Sequence, residues 1–146
     1  MIYIEKDSNG KIYKWVVDGI KDKDPIQNDL TIGIYYDNVL VAGIIFTFFS
    51  KFNAYISAYS EDKKWCSRRV INFLYDYLFD ELNFKKLTCI AAKNNKKAKK
   101  FLTKLGFRLE GVIKYGRLNG TSAFIFGLCS KDKNRNKFKR MENKNE

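Results

Sequence analysis

Apolar residues change their spacing about halfway along the chain. In the first half, β-branched and aromatic residues predict strands over residues 31–36, 39–49 and 52–59. The segment 39–49 has almost no polar alternation, which is typical of a central strand that is covered on both faces. Because Asp37 and Asn38 form a turn pair between the first two strands, we expect these strands to form a hairpin.

The first thirty residues give a weaker pattern. Residues 13–17 combine aromatic and β-branched side chains, and they fit a short strand or a helix equally well. Residues 21–29 are polar and contain Pro25, the only proline, so we expect a loop there.

In the second half, apolar residues from Val70 to Leu82 recur every three or four positions. This spacing predicts an amphipathic helix of about three to four turns, with Ser67 as its N-cap. A second predicted helix begins after Asn95 and is ended by Gly106, a residue suited to the left-handed conformation after a helix. Its apolar residues are expected to face inward and its lysines, including Lys99, to face outward.

Three further strands are predicted over residues 87–92, 107–115 and 123–129, the last two joined through Asn119 and Gly120. A strand, a helix and the next strand in this order favour a parallel crossover, whereas the hairpins on either side are antiparallel. The chain therefore has the pattern of an α+β fold, a mixed sheet with helices on its faces.

Composition narrows the classes of function. The 146 residues, 45% of them hydrophobic, are enough for one buried core. There is no histidine, which excludes histidine-based acid–base catalysis, and we expect no metal site.

Cys66, Cys89 and Cys129 are odd in number and far apart, so we predict no disulfide framework and a reducing, cytoplasmic compartment. No apolar run approaches the ~20 residues of a membrane helix, and we expect no membrane partner.

The net charge of +12 comes from two segments. Residues 85–104 contain eight lysines and no acidic residue, and residues 131–146 contain seven basic and three acidic residues. The second segment is polar and is predicted to be a disordered tail, either a solubilising extension or an arm for nucleic acid. Because the lysine helix has no outward aromatic residue for base stacking, we do not expect nucleic acid as a partner.

The segment from Phe79 to Gly116 resembles the GCN5-related N-acetyltransferase (GNAT) superfamily, in particular the branch that acetylates protein N-termini, including ribosomal proteins. The matching features are Phe79, strand 86–92, Asn95, the Leu105-Gly106-Phe107 sequence and the Glu110-Gly111 pair. The chain is also similar to GNAT-like proteins of bacteriophages, in the arrangement of Trp15-Val16, Ile32-Gly33, Ala42-Gly43 and Trp65-x-Ser67-Arg68. The resemblance implies one GNAT-like domain over residues 1–130. Its sheet would be mostly antiparallel, with about six to seven strands and helices on both faces.

The resemblance also implies acetyl-CoA as cosubstrate, with its pyrophosphate held by backbone N–H groups at the start of the first long helix. The residues expected to bind the cofactor are Lys63, Lys64, Trp65, Cys66, Ser67, Arg68, Arg69 and Asn95. For Trp65, lining the pocket and filling the core remain equal alternatives. Arginines are disfavoured at a helix start unless an anion binds there, which supports a functional role for Arg68 or Arg69.

Two features depart from the family pattern. The phosphate loop of relatives contains glycines, but this chain has none between Gly43 and Gly106. Many relatives also have a tyrosine acid seven residues after the helix-opening asparagine, where this chain has Leu102. Catalytic assistance is therefore expected from Tyr59, Glu61 or Tyr115, with Asp62 or a chain of waters as other choices for the base.

The function implied is an acetyl-CoA-dependent N-acetyltransferase acting on a primary amine by direct attack in a ternary complex. The acceptor is a protein α-amine, a lysine or a small amine. The alternatives are an inactive GNAT-fold module that binds CoA, and a basic domain that binds nucleic acid. The sequence leaves open whether the protein forms a homodimer. It also leaves open whether the protein is phage-encoded and acts in the host cytoplasm or in the virion.

Overall fold

The computed structural model describes residues 1–20 and 26–135, which contain seven strands in one sheet of order β1-β2-β3-β4-β5-β7-β6. The strands are β1 Ile2–Lys6, β2 Leu30–Tyr36, β3 Val39–Phe48, β4 Asn53–Ser60, β5 Lys86–Ala92, β6 Arg108–Ile113 and β7 Ala123–Cys129. The helices are α1 Lys11–Gly19, α2 Arg68–Tyr75 and α3 Lys96–Lys104, with 3-10 turns at Lys63–Trp65 and Ser130–Arg135 and a π-helix at Asp76–Glu81. The predicted α+β class and the strand number are confirmed.

The described chain divides into two compact units. The first contains Met1–Phe49 and Tyr55–Cys66, and the second contains Ser50–Ala54 and the residues from Ser67 onward. Strands β2 and β3 of the first unit form the predicted antiparallel hairpin. Its turn residues Asp37 and Asn38 have φ angles of 49° and 67°, the left-handed pair that a two-residue hairpin turn requires.

Helix α1 packs closely on this hairpin. Gly33 of β2 lies opposite Gly43 of β3, and the side chains of Ile12 and Val16 occupy the space above these two glycines. A Cβ atom at Gly43 would overlap the Val16 side chain. The segment that the sequence left open between strand and helix is therefore a helix, because the paired glycines provide a shallow surface for its two buried residues.

Strand β1 pairs with β2 along the edge of the first unit and was not predicted. Its alternate residues are exposed, so it lacks the buried apolar run that marks β3. The six residues from Val41 to Phe46 in β3 are all buried, as expected for a strand covered on both faces.

In the second unit, β7 pairs antiparallel with both β5 and β6. The register of β6 shifts between Leu109 and Gly111, which leaves Glu110 at a bulge. Its carboxylate forms an ion pair with Lys86 of β5, and the pair lies directly over Gly127 of the strand between them.

The long helix predicted from Val70 to Leu82 is present but is not one regular helix. Ser67 Oγ accepts the Val70 N–H at 3.4 Å, as predicted for the N-cap of α2. After Tyr75 the chain widens into the π-helix, where the Leu82 N–H donates to the Tyr77 carbonyl oxygen five residues earlier, at 2.9 Å.

Helix α3 has the predicted ends. Asn95 Oδ1 accepts the Ala98 N–H at 3.1 Å, and Gly106 has a φ of 102° after the last turn. Leu102 and Leu105 are buried, whereas Ala98 and Phe101 are half-buried.

The start of the predicted tail is helical in the structure. Ser130–Arg135 form a 3-10 turn, and Lys133 forms ion pairs with Asp80 at 3.0 Å and Asp76 at 3.4 Å. The remaining tail residues, 136–146, and residues 21–25 of the predicted loop lie outside the described part. Within residues 1–20 and 26–135, every helix is too short or too polar to cross a bilayer.

Candidate functional site

The turn before α2 is held by hydrogen bonds among its own residues. Asp62 Oδ1 accepts the Lys64 N–H at 2.8 Å, and the Cys66 N–H donates to the Lys63 carbonyl oxygen at 3.2 Å. The Trp65 N–H also donates to the Asp62 carbonyl oxygen, at 3.5 Å. Three amides that the sequence offered as phosphate donors are therefore already hydrogen-bonded within a 3-10 turn.

Trp65 belongs to the core of the first unit. Its side chain is 6% exposed, and the turn that carries it contacts strand β2. Of the two alternatives left by the sequence, burial favours the packing role for the indole. The turn is consequently anchored through its largest side chain, whereas Lys63 and Lys64 on the same turn are exposed.

The start of α2 in the second unit is the part of this segment best suited to an anion. The first backbone bond of the helix runs from the Ile71 N–H to the Ser67 carbonyl oxygen at 3.0 Å. In any α-helix the first N–H groups have no acceptor within the helix. Here Ser67 Oγ accepts the N–H of Val70, and the N–H of Arg69 precedes it. The first turn contains no acidic residue. Both the helix dipole and the side-chain charge therefore favour a negative ligand at this end.

Asn95, the remaining residue predicted to bind the cofactor, opens α3, also in the second unit. Its side chain is engaged as the N-cap. One turn later, the Lys99 ammonium lies 4.6 Å from the centre of the Phe124 ring. This corrects the prediction that all α3 lysines point into solvent, because a cation–π contact holds the Lys99 side chain against β7. Lys99, Lys100, Thr103 and Lys104 line a surface pocket of about 300 Å³.

Two of the three predicted catalytic residues are brought together in the first unit. The Tyr59 hydroxyl donates a 3.4 Å hydrogen bond to Glu61 Oε1. The Glu61 backbone is fixed in turn by its N–H, which donates to the Val41 carbonyl oxygen at 2.9 Å. Glu61 is exposed and Tyr59 is half-buried, so the carboxylate is open to a ligand while the phenol orients it.

The third, Tyr115, lies on the loop between β6 and β7 in the second unit. It is 81% exposed and has a φ of 56°. A bulky residue rarely adopts this left-handed conformation, and such strain is concentrated at functional positions. The following Gly116 helps to hold it, since its N–H donates to the Ile113 carbonyl oxygen at 3.2 Å.

Two residues of the first unit surround Tyr59, and the sequence did not predict their contact with it. The Trp15 ring on α1 meets the Tyr59 ring edge-on, with centroids 5.2 Å apart and planes at 62°. The last residue of α1, Gly19, lies so close to the Tyr59 ring that a Cβ atom would overlap it. A glycine ending a helix is a common sequence feature, so nothing in the sequence pairs it with an aromatic residue forty positions later.

The chain matches a known protein family. A family model described as an acetyltransferase (GNAT) domain matches residues 49–122, half of the chain. The match runs from the end of β3 to the loop before β7 and includes the turn, α2 and α3. A search of curated protein sequences found no match.

Solved structures share the fold. Spermidine/spermine N-acetyltransferase SpeG from Vibrio cholerae superposes with a TM-score of 0.73 at 14% identity, covering 92% of this chain and 98% of that one. An N-acetyltransferase from Staphylococcus aureus Mu50 gives 0.68 at 20% identity, with coverages of 90% and 99%. Ribosomal-protein-S5-alanine acetyltransferase from Vibrio fischeri gives 0.56 at 19% identity, covering 71% of this chain and 63% of that longer one.

These structures support the fold alone, whereas the family match covers the segment that carries the predicted cofactor residues. The protein is therefore an acetyltransferase, and its chain belongs to the GNAT family.

Proposed function

We propose that the protein transfers the acetyl group of acetyl-CoA to a primary amine by direct attack within a ternary complex. The observation that carries this proposal is the start of α2, which has two arginines, no acidic residue in its first turn and a serine N-cap. GNAT acetyltransferases use acetyl-CoA, whose pyrophosphate is the anion that such a helix start suits.

The pyrophosphate site differs from the glycine-rich loop of relatives. Because the amides of Lys64 and Cys66 are bonded within the turn, we propose that the Arg69 N–H in the first turn of α2 donates to the pyrophosphate. The side chains of Arg68 and Arg69 would add charge-assisted hydrogen bonds to the phosphate oxygens. Lys63 and Lys64, exposed on the turn, would supply further positive charge.

The chemistry then requires one proton to leave the amine and one to reach the thiolate. We assign the first to Glu61, whose carboxylate is exposed and oriented by Tyr59. The amine nitrogen forms a bond to the acetyl carbonyl carbon, the carbon–sulfur bond breaks, and CoA leaves as the thiolate. Leu102, at the position of the tyrosine acid in many relatives, is buried and apolar. Tyr115 or a water molecule must therefore protonate the thiolate.

The thioester carbonyl oxygen also needs a hydrogen-bond donor as negative charge develops on it. Backbone N–H groups of β4 around residues 55–59 are the donors that we propose for this role. They require no titratable side chain, which fits a chain without histidine.

For the acceptor, the resemblance to the N-terminal-amine branch supports a protein α-amine, and a lysine or a small amine are the other candidates. The names of the structural neighbours include both a ribosomal-protein alanine and a polyamine as acceptors. In the described residues the three cysteines are thiols and not disulfides. Together with the resemblance to bacteriophage proteins, this supports work in a reducing cytoplasm, that of a host cell if the protein is phage-encoded.

Calorimetric titration with acetyl-CoA tests the cofactor site. We expect saturable binding that Arg68→Glu and Arg69→Glu each weaken by about tenfold, the loss of one charge-assisted contact. Lys11→Glu, the same charge reversal on α1 of the first unit, should leave the affinity unchanged. Absence of binding at millimolar acetyl-CoA, or equal weakening by all three variants, would contradict the proposal.

The inactive module is the second candidate, favoured by the apolar Leu102 at the acid position. A thiol-release assay with a panel of peptide and small-molecule amines separates the two. An acetyltransferase releases CoA only when an acceptor amine is present, whereas an inactive module binds acetyl-CoA and releases no thiol with any amine.

A further inference from the structure

Trp15, Tyr59 and Glu61 form one corner of the first unit, which we call the acceptor corner. The Tyr59 ring is fixed on two sides, by the edge-on contact with Trp15 at 5.2 Å and by the backbone of Gly19. Both rings rest on the buried cluster that contains Ile12 and Val16. The aromatic part of the corner is therefore held in place by the core before any ligand arrives.

The acidic residue of the corner, Glu61, is also held in position, but its carboxylate is exposed to solvent. Tyr59 donates its hydroxyl hydrogen to Glu61 Oε1, and the Glu61 backbone is bonded to Val41 of β3. Across residues 1–20 and 26–135, no lysine or arginine pairs with the Glu61 carboxylate. A carboxylate beside two aromatic rings is a combination that binds ammonium groups, through charge pairing and through the ring quadrupole.

The distribution of charge supports a cationic ligand here. The first unit contains seven lysines and nine acidic residues, whereas the second contains 21 basic and seven acidic residues. Electrostatic steering thus favours anions, such as a CoA phosphate, at the second unit and cations at the first. Asp18, exposed and adjacent to Gly19 on α1, adds to the negative charge on this unit.

We infer that the acceptor corner binds the acceptor amine in its protonated form, and that Trp15 is a specificity-determining residue that contacts the aliphatic part of the acceptor. This inference rests on the proposed function. It narrows the acceptor to amines whose neighbouring groups carry no negative charge, because an adjacent carboxylate would face Glu61. The bound ammonium then gives one proton to Glu61 and becomes the neutral nucleophile. The second proton, which the nitrogen loses as the amide forms, passes to the departing thiolate through Tyr115 or a water molecule.

Binding of amines, measured without turnover, tests the inference. The probes are 1,5-diaminopentane and 6-aminohexanoate, which present the same primary amine on a linear chain but end in a cation or an anion. Both are titrated into the full-length protein saturated with CoA, with tryptophan fluorescence as the readout. We expect saturable quenching by the diamine and binding of the amino acid at least about tenfold weaker.

Variants locate the binding. Trp15→Leu and Glu61→Gln should each weaken diamine binding by about tenfold, and Trp15→Phe, which keeps a ring, should retain it within about threefold. Binding to these variants is measured by calorimetry, since the Trp15 substitutions remove one of the two tryptophans that give the fluorescence signal. Tyr13→Phe is the matched control on α1, because it removes a hydroxyl that bonds the Ile26 carbonyl oxygen and leaves the corner intact.

The outcomes are distinct. Equal affinity of the two probes, no saturable diamine binding, or unchanged binding by Trp15→Leu overturns the inference. An unchanged Kd for CoA shows that the Trp15→Leu variant is folded. If the diamine binds as expected but CoA is not released with any amine, the corner is a cation site and the proposed acetyl transfer is the part that fails.

Discussion

The Tyr75 hydroxyl, near the end of α2, donates a 2.8 Å hydrogen bond to the backbone carbonyl oxygen of Leu105 at the end of α3. The phenol is 5% exposed and its ring also packs on Phe79. The last carbonyl groups of a helix have no partner within it. Tyr75 satisfies one of them from a neighbouring helix, and it thereby ties the two helices that carry the predicted cofactor residues of the second unit.

Removing this bond should destabilise the protein. Tyr75→Phe leaves a buried carbonyl without its donor, and we expect the free energy of unfolding to fall by about 1–2 kcal/mol. Urea denaturation followed by circular dichroism measures the change. Tyr77→Phe, on the π-helix, is the control and should change stability by less than about 0.5 kcal/mol. Equal effects of the two substitutions would show that the Tyr75 hydroxyl bond contributes nothing specific.

Gly43 and Gly127 differ in how easily their surroundings can accommodate an added side chain. At Gly43 a Cβ atom would overlap Val16 in the core beneath α1, whereas at Gly127 it would meet the ends of the Glu110 and Lys86 side chains. Gly43→Ala should cost about 1–3 kcal/mol, the usual penalty of overpacking. Gly127→Ala should cost less than about 1 kcal/mol, because a part-exposed ion pair contributes little and can move aside. Thermal unfolding of both variants measures the two losses of stability. A larger loss for Gly127→Ala than for Gly43→Ala would contradict the prediction.

Asn95 has a structural role that can be separated from a cofactor contact. Asn95→Ala removes the cap of α3 and should cost about 1 kcal/mol of stability, whereas Asn95→Ser retains a capping oxygen and should cost less. If the amide also contacts CoA, both substitutions should weaken acetyl-CoA binding, in contrast to their unequal effects on stability. Calorimetry and urea denaturation on the same two variants give the two readouts. A serine variant that binds acetyl-CoA like the wild type would limit Asn95 to capping.

Cys89 of β5 should respond to alkaline pH. Burial raises the pKa of this thiol from 9.0 to about 12, partly opposed by the positive charge of Arg117. Between these two values the unfolded chain loses the thiol proton but the folded chain keeps it. The stability that the neutral thiol contributes is therefore complete below pH 9 and is lost as the pH rises toward 12.

The raised pKa of Cys89 also predicts that this thiol reacts slowly with thiol reagents. At pH 8 the Cys89 thiol is almost fully protonated, so it should react with a disulfide reagent far more slowly in the native protein than in urea. Mass spectrometry of labelled peptides identifies the site. A Cys89→Ala variant should lose the part of the alkaline destabilisation that comes from this thiol, and an unchanged pH profile would contradict the assignment.

The sequence predicted most elements because their signals are local. The Asp37-Asn38 hairpin, the Ser67 and Asn95 caps and the Gly106 stop each depend on a few adjacent residues. Strand β1 was missed and α1 was left open because their conformation depends on tertiary contacts. Residues 13–17 fit either a strand or a helix by their local pattern, and the Gly33–Gly43 surface, distant in sequence, stabilises them as a helix.

Less of the candidate site could be predicted. Residue types made Tyr59, Glu61 and the arginines candidates for the chemistry, but they did not indicate which backbone amides are already hydrogen-bonded. The side chain of Asp62 caps the turn and engages the Lys64 amide, a competition that composition does not reveal. The contact of Trp15 and Gly19 with Tyr59 joins residues some forty positions apart, and only the fold shows it.

The π-helix at Asp76–Glu81 places one more residue in its turn than an α-helix would. Deleting a single residue there would restore the α-helical repeat and leave Leu74 before it and Phe84 after it directed into the core, where both are now buried. Elsewhere in the same helix a deletion would rotate every later side chain by about 100°. We therefore expect strand β5 to be disturbed less by the loss of one residue from this segment than by the loss of one residue elsewhere in the same helix.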